Sequence, residues 1–196
     1  MIKGPRIGIV AAAASAMVLI LASATDARAQ GFISPFIGFN FGGDSGCPEI
    51  TGCEDKTLNL GVSLGTMGKV FGFEEEFGYA RDFFGTAPGL SSNVLTLMSN
   101  VMLVPKLGPA RPYVLVGVGL IKTHAELAPA NLLDTDNNHF GWNVGGGLMG
   151  FFGEHVGVRG DIRYFHAFQD LSVLGVSLGN QKLDFGRASA GLVLTF

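Results

Sequence analysis

Apolar and polar residues alternate along this chain with a period of two, in separate segments of about ten residues. The cleanest is 57–66, where Leu58, Leu60, Val62 and Leu64 alternate with Asn59, Gly61, Ser63 and Gly65. Such a period belongs to a strand whose two faces meet different media. Seven more segments read the same way: 32–41, 70–82, 93–104, 112–123, 139–148, 155–165 and 183–196. Within 70–82, Phe71, Phe73, Phe77 and Tyr79 oppose Gly72, Glu74, Glu76 and Gly78. Within 155–165, Val156, Val158, Ile162 and Tyr164 oppose Arg159, Asp161 and Arg163. The last segment sets Phe196, Leu194, Leu192, Ala190 and Ala188 against Thr195, Val193, Gly191, Ser189 and Arg187. The pattern predicts an all-β chain of eight antiparallel strands.

The connections alternate too. Those after the first, third, fifth and seventh strands (43–56, 84–92, 124–138 and 166–182) are long and polar, whereas 67–69, 105–111 and 150–154 are short. Transmembrane barrels show this asymmetry, with an even strand number and strands of ~10 residues. A secreted barrel of the lipocalin kind has the same alternation with the faces inverted. The polar face decides between them. Here it is mainly Gly, Asn, Ser and Thr, too small and uncharged to solubilise an outer surface, but suited to a narrow interior. The expectation is an eight-stranded up-and-down transmembrane barrel.

Composition agrees. Charged residues make up 15% of the 196, with 30 Gly and 16 Phe, against ~25% charged in a typical soluble domain. No Lys/Arg cluster exists to support a nucleic-acid partner. Residues 1–29 read as a cleaved signal peptide: Lys3 and Arg6 lead, Ile7 to Ala22 is apolar, and Ala27-Arg28-Ala29 offers small residues for cleavage. Removing them takes 3 of the 13 basic and 1 of the 16 acidic residues and leaves a barrel domain, 30–196, at −5. A retained anchor is the alternative. Cys47 and Cys53 share one loop; an exported chain meets an oxidising compartment, so a local disulfide is expected, with a metal site as the weaker option.

The chain's ending, with Leu192 and Leu194 before a terminal Phe196, resembles the C-terminal signal of Gram-negative outer-membrane barrels. The stretches RPYVLVGVGL (111–120), FGWNVGGG (140–147), VGVRGDIRYF (156–165) and RASAGLVLTF (187–196) are similar to the small barrels grouped with OmpA, OmpX and the opacity proteins. The resemblance implies a monomer in the outer membrane, in contact with its lipid and lipopolysaccharide. It also implies that the assembly machinery reads the last strand. It names no task, because fold does not imply function.

The candidate chemistry lies on the small-residue face. Glu74, Glu76, Arg159, Asp161 and Arg163 fall there, with Arg187 near them. An eight-stranded interior is just filled by side chains, and buried charges must pair, so a lumen salt-bridge network is expected. Its role is either a structural plug or the lining of a narrow ion path. Glu75 breaks the pattern by falling on the lipid face; closeness to the periplasmic interface is the expected reason, with a bulge or a functional acid as alternatives. Asp134, Asp136 and Asn138 have calcium-loop spacing, but His139 and Gly145 stand where Gly and Glu are needed. His124, His139, His155 and His166 are scattered, with no Ser at motif-like spacing. No enzyme, cofactor or metal is therefore expected. The expected role is envelope integrity or adhesion through 43–56 and 166–182; the alternative is a passive channel for small solutes. A lipid-modifying enzyme and a soluble lipocalin-like binder have no motif of their own.

Overall fold

The structure, a computed structural model, describes residues 29–43, 45, 57–83, 90–127, 134–173 and 176–196. The expected leader up to residue 28 and the Cys47–Cys53 pair lie outside the described residues. The alternating segments form eight strands: β1 Gln30–Phe41, β2 Thr57–Met67, β3 Phe71–Arg81, β4 Leu90–Leu103, β5 Ala110–Leu127, β6 Asp134–Phe151, β7 Val156–Val173 and β8 Val176–Thr195. Each pairs antiparallel with the next, and β8 returns to β1, so the sheet is a closed barrel. Ile37 stands opposite Ala190, and Gly31 and Phe196 exchange two backbone hydrogen bonds of 3.0 Å. Closure leaves no open edge.

The outer wall is the apolar face. Ile37, Phe39, Leu58, Leu60, Leu97, Val101, Val114, Val116, Val118, Leu120, Ile162 and Leu192 all point out and stay exposed. A belt this continuous far exceeds the few hundred Å² that a water-soluble monomer leaves bare. Lipid is the solvent it fits. The inverted, lipocalin-like arrangement is therefore ruled out for this chain.

The interior is filled by matching large side chains to glycines across each strand pair. Phe32 faces Gly65 and Phe36 faces Gly61; Met98 faces Gly119, and Tyr113 faces Gly147. The Phe32 ring lies where a side chain at position 65 would go, and the Phe36 ring does the same at 61. This is why a narrow lumen can hold aromatic rings at all. It also corrects the expectation of a polar interior. Phe32, Met67, Met102, Val104, Tyr113, Leu115, Met149, Phe151 and Val193 form one apolar cluster at the short-turn end. Ala80, Phe83, Val94, Met98, Ile121, Phe165, Ala167, Leu183 and Phe185 form another at the long-loop end. The layer between them holds the charges, and Ser92, Thr123 and His139 add buried polar groups at the long-loop end.

Two connections expected as loops are largely strand. The β5–β6 ladder runs up to the Glu126–Asp134 pair, and β7–β8 up to Val173–Val176, after a shift in register beyond His166. Apolar alternation stops in 124–138 and 166–182, which is why the sequence pattern alone predicts loops there. Alternation marks the depth of the apolar band, whereas a hairpin ladder can continue beyond it with polar side chains on both faces.

Candidate functional site

The polar layer is built by three strands. β3 turns Glu74 and Glu76 inward, β7 turns Arg159, Asp161 and Arg163 inward, and β8 supplies Arg187; all six are buried. Residues two apart on a strand share a face, so the E-x-E and R-x-D-x-R spacings put each set on the lumen side. Closure then brings the sets together. In a ring of eight, β3 and β7 stand four strands apart, on opposite walls.

Arg163 is the hub. Its Nη2 lies 3.0 Å from Glu74, its Nη1 2.6 Å from Glu76 and its Nε 3.1 Å from Asp161. Arg159 donates to Glu74 and, at 2.9 Å, to Asp161. Arg187 is paired with Glu76, and its guanidinium lies between the Phe165 and Phe36 rings, 4.5 and 5.2 Å from their centroids. Three carboxylates meet three guanidiniums, so the layer is formally neutral. Burying six charges is tolerable only with this pairing and with hydrogen bonds to their remaining atoms. Asn100 donates to Glu74 at 3.2 Å, and Ser189 to Asp161 at 3.0 Å.

Sequence reasoning missed Tyr113. Its hydroxyl donates to Asp161 at 2.6 Å and accepts from Arg159 at 2.6 Å, while the Arg159 guanidinium sits 4.7 Å over its ring. The signal was present: Tyr113 is an inward residue opposite Gly147, and a buried phenol needs a partner. The Asn40 and Asn143 amides and the Ser34 and Ser63 hydroxyls are buried without a hydrogen-bond partner among the described residues. Such groups call for water, and they line the same middle layer.

The other singled-out residues are dispersed. His124 is on β5 and His166 on β7, His155 is in the β6–β7 turn, and His139 is buried on β6. Asp134, Asp136 and Asn138 are regular β6 residues opposite Glu126, His124 and Lys122, so their spacing belongs to a strand and not to a loop that could wrap an ion. Leu192 and Leu194 face outward beside the terminal Phe196.

A family model described as "Outer membrane protein beta-barrel domain" matches residues 9–196. This chain belongs to the outer membrane protein beta-barrel domain family. Among solved structures, it is similar to Neisserial surface protein A (14% identity, TM-score 0.63, 85% of this chain and 97% of that one). It is similar also to Ail, the attachment invasion locus protein of Yersinia pestis, in complex with the heparin analogue sucrose octasulfate (12%, TM-score 0.57, 86% and 99%). The outer membrane protein OprG from Pseudomonas aeruginosa aligns likewise (14%, TM-score 0.57, 87% and 97%). No curated protein sequence matches the chain.

Membership of the outer membrane barrel family sharpens the question of Glu75. It is third in the outward row Phe71, Phe73, Glu75, Phe77, Tyr79, and its pairing with Leu64 and Ser99 is continuous, with no bulge. It therefore sits in the middle of the apolar band, not near an interface as expected. Ser99, on the next strand, donates to it at 2.7 Å. One hydroxyl does not replace the hydration of a carboxylate. Glu75→Leu should therefore stabilise the barrel by about 1 kcal/mol, read as a higher urea midpoint in lipid vesicles. A lower midpoint would mean that Glu75 holds the wall together.

Proposed function

We propose that the chain is an integral outer-membrane barrel, closed to passage, that acts through its extracellular hairpins. The closed lumen is what carries this reading: a neutral ion-pair layer lies between two apolar clusters. A hydrated ion crossing the lumen would have to pass both apolar clusters and the locked charges between them, and shedding its hydration there is costly.

The hairpins supply the other half. Short turns belong on the periplasmic side, so the β5–β6 and β7–β8 ladders stand up on the extracellular side. Their strands have 18 or 20 residues, against 11 or 12 in β1–β3. One flank of the barrel thus extends as two preformed hairpins, β6 and β7 pairing only as far as Gly141 and Ala167. Backbone already held in a ladder gives up little entropy on meeting a partner, which suits envelope or cell-surface contact.

Planar-bilayer recording tests the closed lumen. Wild-type protein should add no steady conductance steps. Steps that change size in Glu74→Gln would overturn this reading in favour of a narrow solute channel, which the partnerless Asn40 and Asn143 amides in mid-lumen would then line. Surface contact is tested by replacing 128–133 and 174–175 with short Gly-Ser links. Binding of whole cells to host or neighbouring cells should fall, while the unboiled protein keeps its fast gel mobility.

A further inference from the structure

One carboxyl group on the outer wall is left half-satisfied. Glu75 faces outward between Phe73 and Phe77 in the middle of the apolar band, beside Leu64 of β2 and Ser99 of β4. Arg81, Lys122 and Asp184, which also face outward, stand where the apolar rows of their strands stop. Glu75 has no such place. The Ser99 hydroxyl donates to its Oε1 at 2.7 Å, and its Oε2 has no hydrogen-bond partner among the described residues.

A polar side chain facing hydrocarbon is drawn to any polar partner inside the membrane, because no water competes for it. The barrel itself does not complete Glu75: its neighbours Phe73, Phe77 and Leu64 carry no polar side-chain atom, and Ser99 is already used. Lipid headgroups lie about 12 Å from the middle of a ~25 Å band, too far to serve. The partner therefore comes from the wall of another embedded protein, and symmetry names it. Two copies with the same orientation in one membrane are related by a two-fold axis along the membrane normal, which puts each residue at the depth of its counterpart. A residue on the contact line meets itself. Two carboxyl groups that meet can share protons, each donating to and accepting from the other.

We propose that two copies of this chain pair wall to wall along β3 and β4, in place of the monomer that the family resemblance implies. Glu75 of each copy is hydrogen-bonded to Glu75 of the other on the two-fold axis, and Ser99 of each copy orients its own carboxyl. Phe73, Phe77, Leu64, Leu97 and Val101 pack around this polar centre and keep lipid out of it. What costs a single barrel stability thus holds two together. The contact rests on the membrane reading above.

The test uses full-length mature protein folded into phosphatidylcholine vesicles, with Cys47→Ser and Cys53→Ser. Lys106→Cys, in the turn between β4 and β5, carries a donor dye on some copies and an acceptor on others. Energy transfer between copies should saturate as protein per lipid rises. Half-saturation should need about tenfold more protein in Glu75→Leu, the size of one polar contact between membrane segments. Glu75→Gln, whose amides also donate and accept reciprocally, should keep the association of wild type. With Lys106 restored, Phe77→Cys should trap disulfide-linked dimers on oxidation, whereas Ile162→Cys, outward on the opposite wall, should not. Transfer no greater than for copies placed at random, or unmoved by Glu75→Leu, overturns the contact. A loss in Glu75→Gln equal to that in Glu75→Leu overturns the carboxyl pair, and equal trapping at 77 and 162 overturns the wall assigned to it. Trapping of Phe77→Cys on a different protein and not on itself, in isolated outer membranes, overturns a second copy as the occupant. Every variant should keep the heat-dependent gel shift; its absence from the wild type overturns the membrane reading itself, and the contact with it.

Discussion

Arg163→Met is expected to lower the stability of the folded barrel by about 3–5 kcal/mol, the cost of leaving a buried charge without its partner. Arg163 touches all three lumen carboxylates, so its loss weakens the pairing of each of them. The layer would be left at a net charge of −1 between two hydrocarbon clusters. The double variant Arg163→Met with Asp161→Asn separates charge from packing. It leaves Arg159 paired with Glu74 and Arg187 with Glu76, and the layer is neutral again. More than half of the loss should return. Urea unfolding in vesicles, followed by the heat-dependent gel shift, reads both. A single variant as stable as wild type would show that the network is not what braces the interior.

Gly117→Leu is expected to be as damaging for a steric reason. A side chain at position 117 would run into the Asn100 and Asn143 side chains and the carbonyl of Ser99. Backbone cannot yield as a flexible side chain can, so the cost should reach the upper end of overpacking, about 3 kcal/mol. Gly160→Ala is the contrast. Nothing but the Ser189 carbonyl, at 3.9 Å, lies near that position, and the residue faces outward. It should gain about 0.5 kcal/mol by restricting the unfolded chain. The pair is checked by the same unfolding measurement. Equal effects at 117 and 160 would mean that the lumen is not closely packed.

The strands within the apolar band were legible because lipid imposes a period of two on every one of them. The six lumen charges were legible for the same reason: they break the small-residue face of their strands at even spacing. Their pairing was not. Whether Arg163 meets Glu74 or Glu76 depends on the register of a ring closed by eight pairings, and no local pattern encodes that. Phe32 and Phe36 were hidden because their size suggests an outward position until Gly65 and Gly61 are seen opposite them. The extended hairpins were hidden because water, unlike lipid, does not force side chains to alternate. Glu75 was misplaced because depth along a strand depends on where the band begins, and the neighbouring turn gave a poor measure of it.

The bracing across the lumen also makes completeness of the chain an electrostatic matter. Both of the β3 carboxylates are translated before any of the three arginines that face them, which come only with β7 and β8. A chain halted after β6 therefore carries Glu74 and Glu76 without any of those countercharges, and a sheet that curls shut before β8 lacks Arg187. Only the full-length ring neutralises its own axis. Fragments and miscounted rings are thus discouraged from within, before any protease or chaperone has to recognise them.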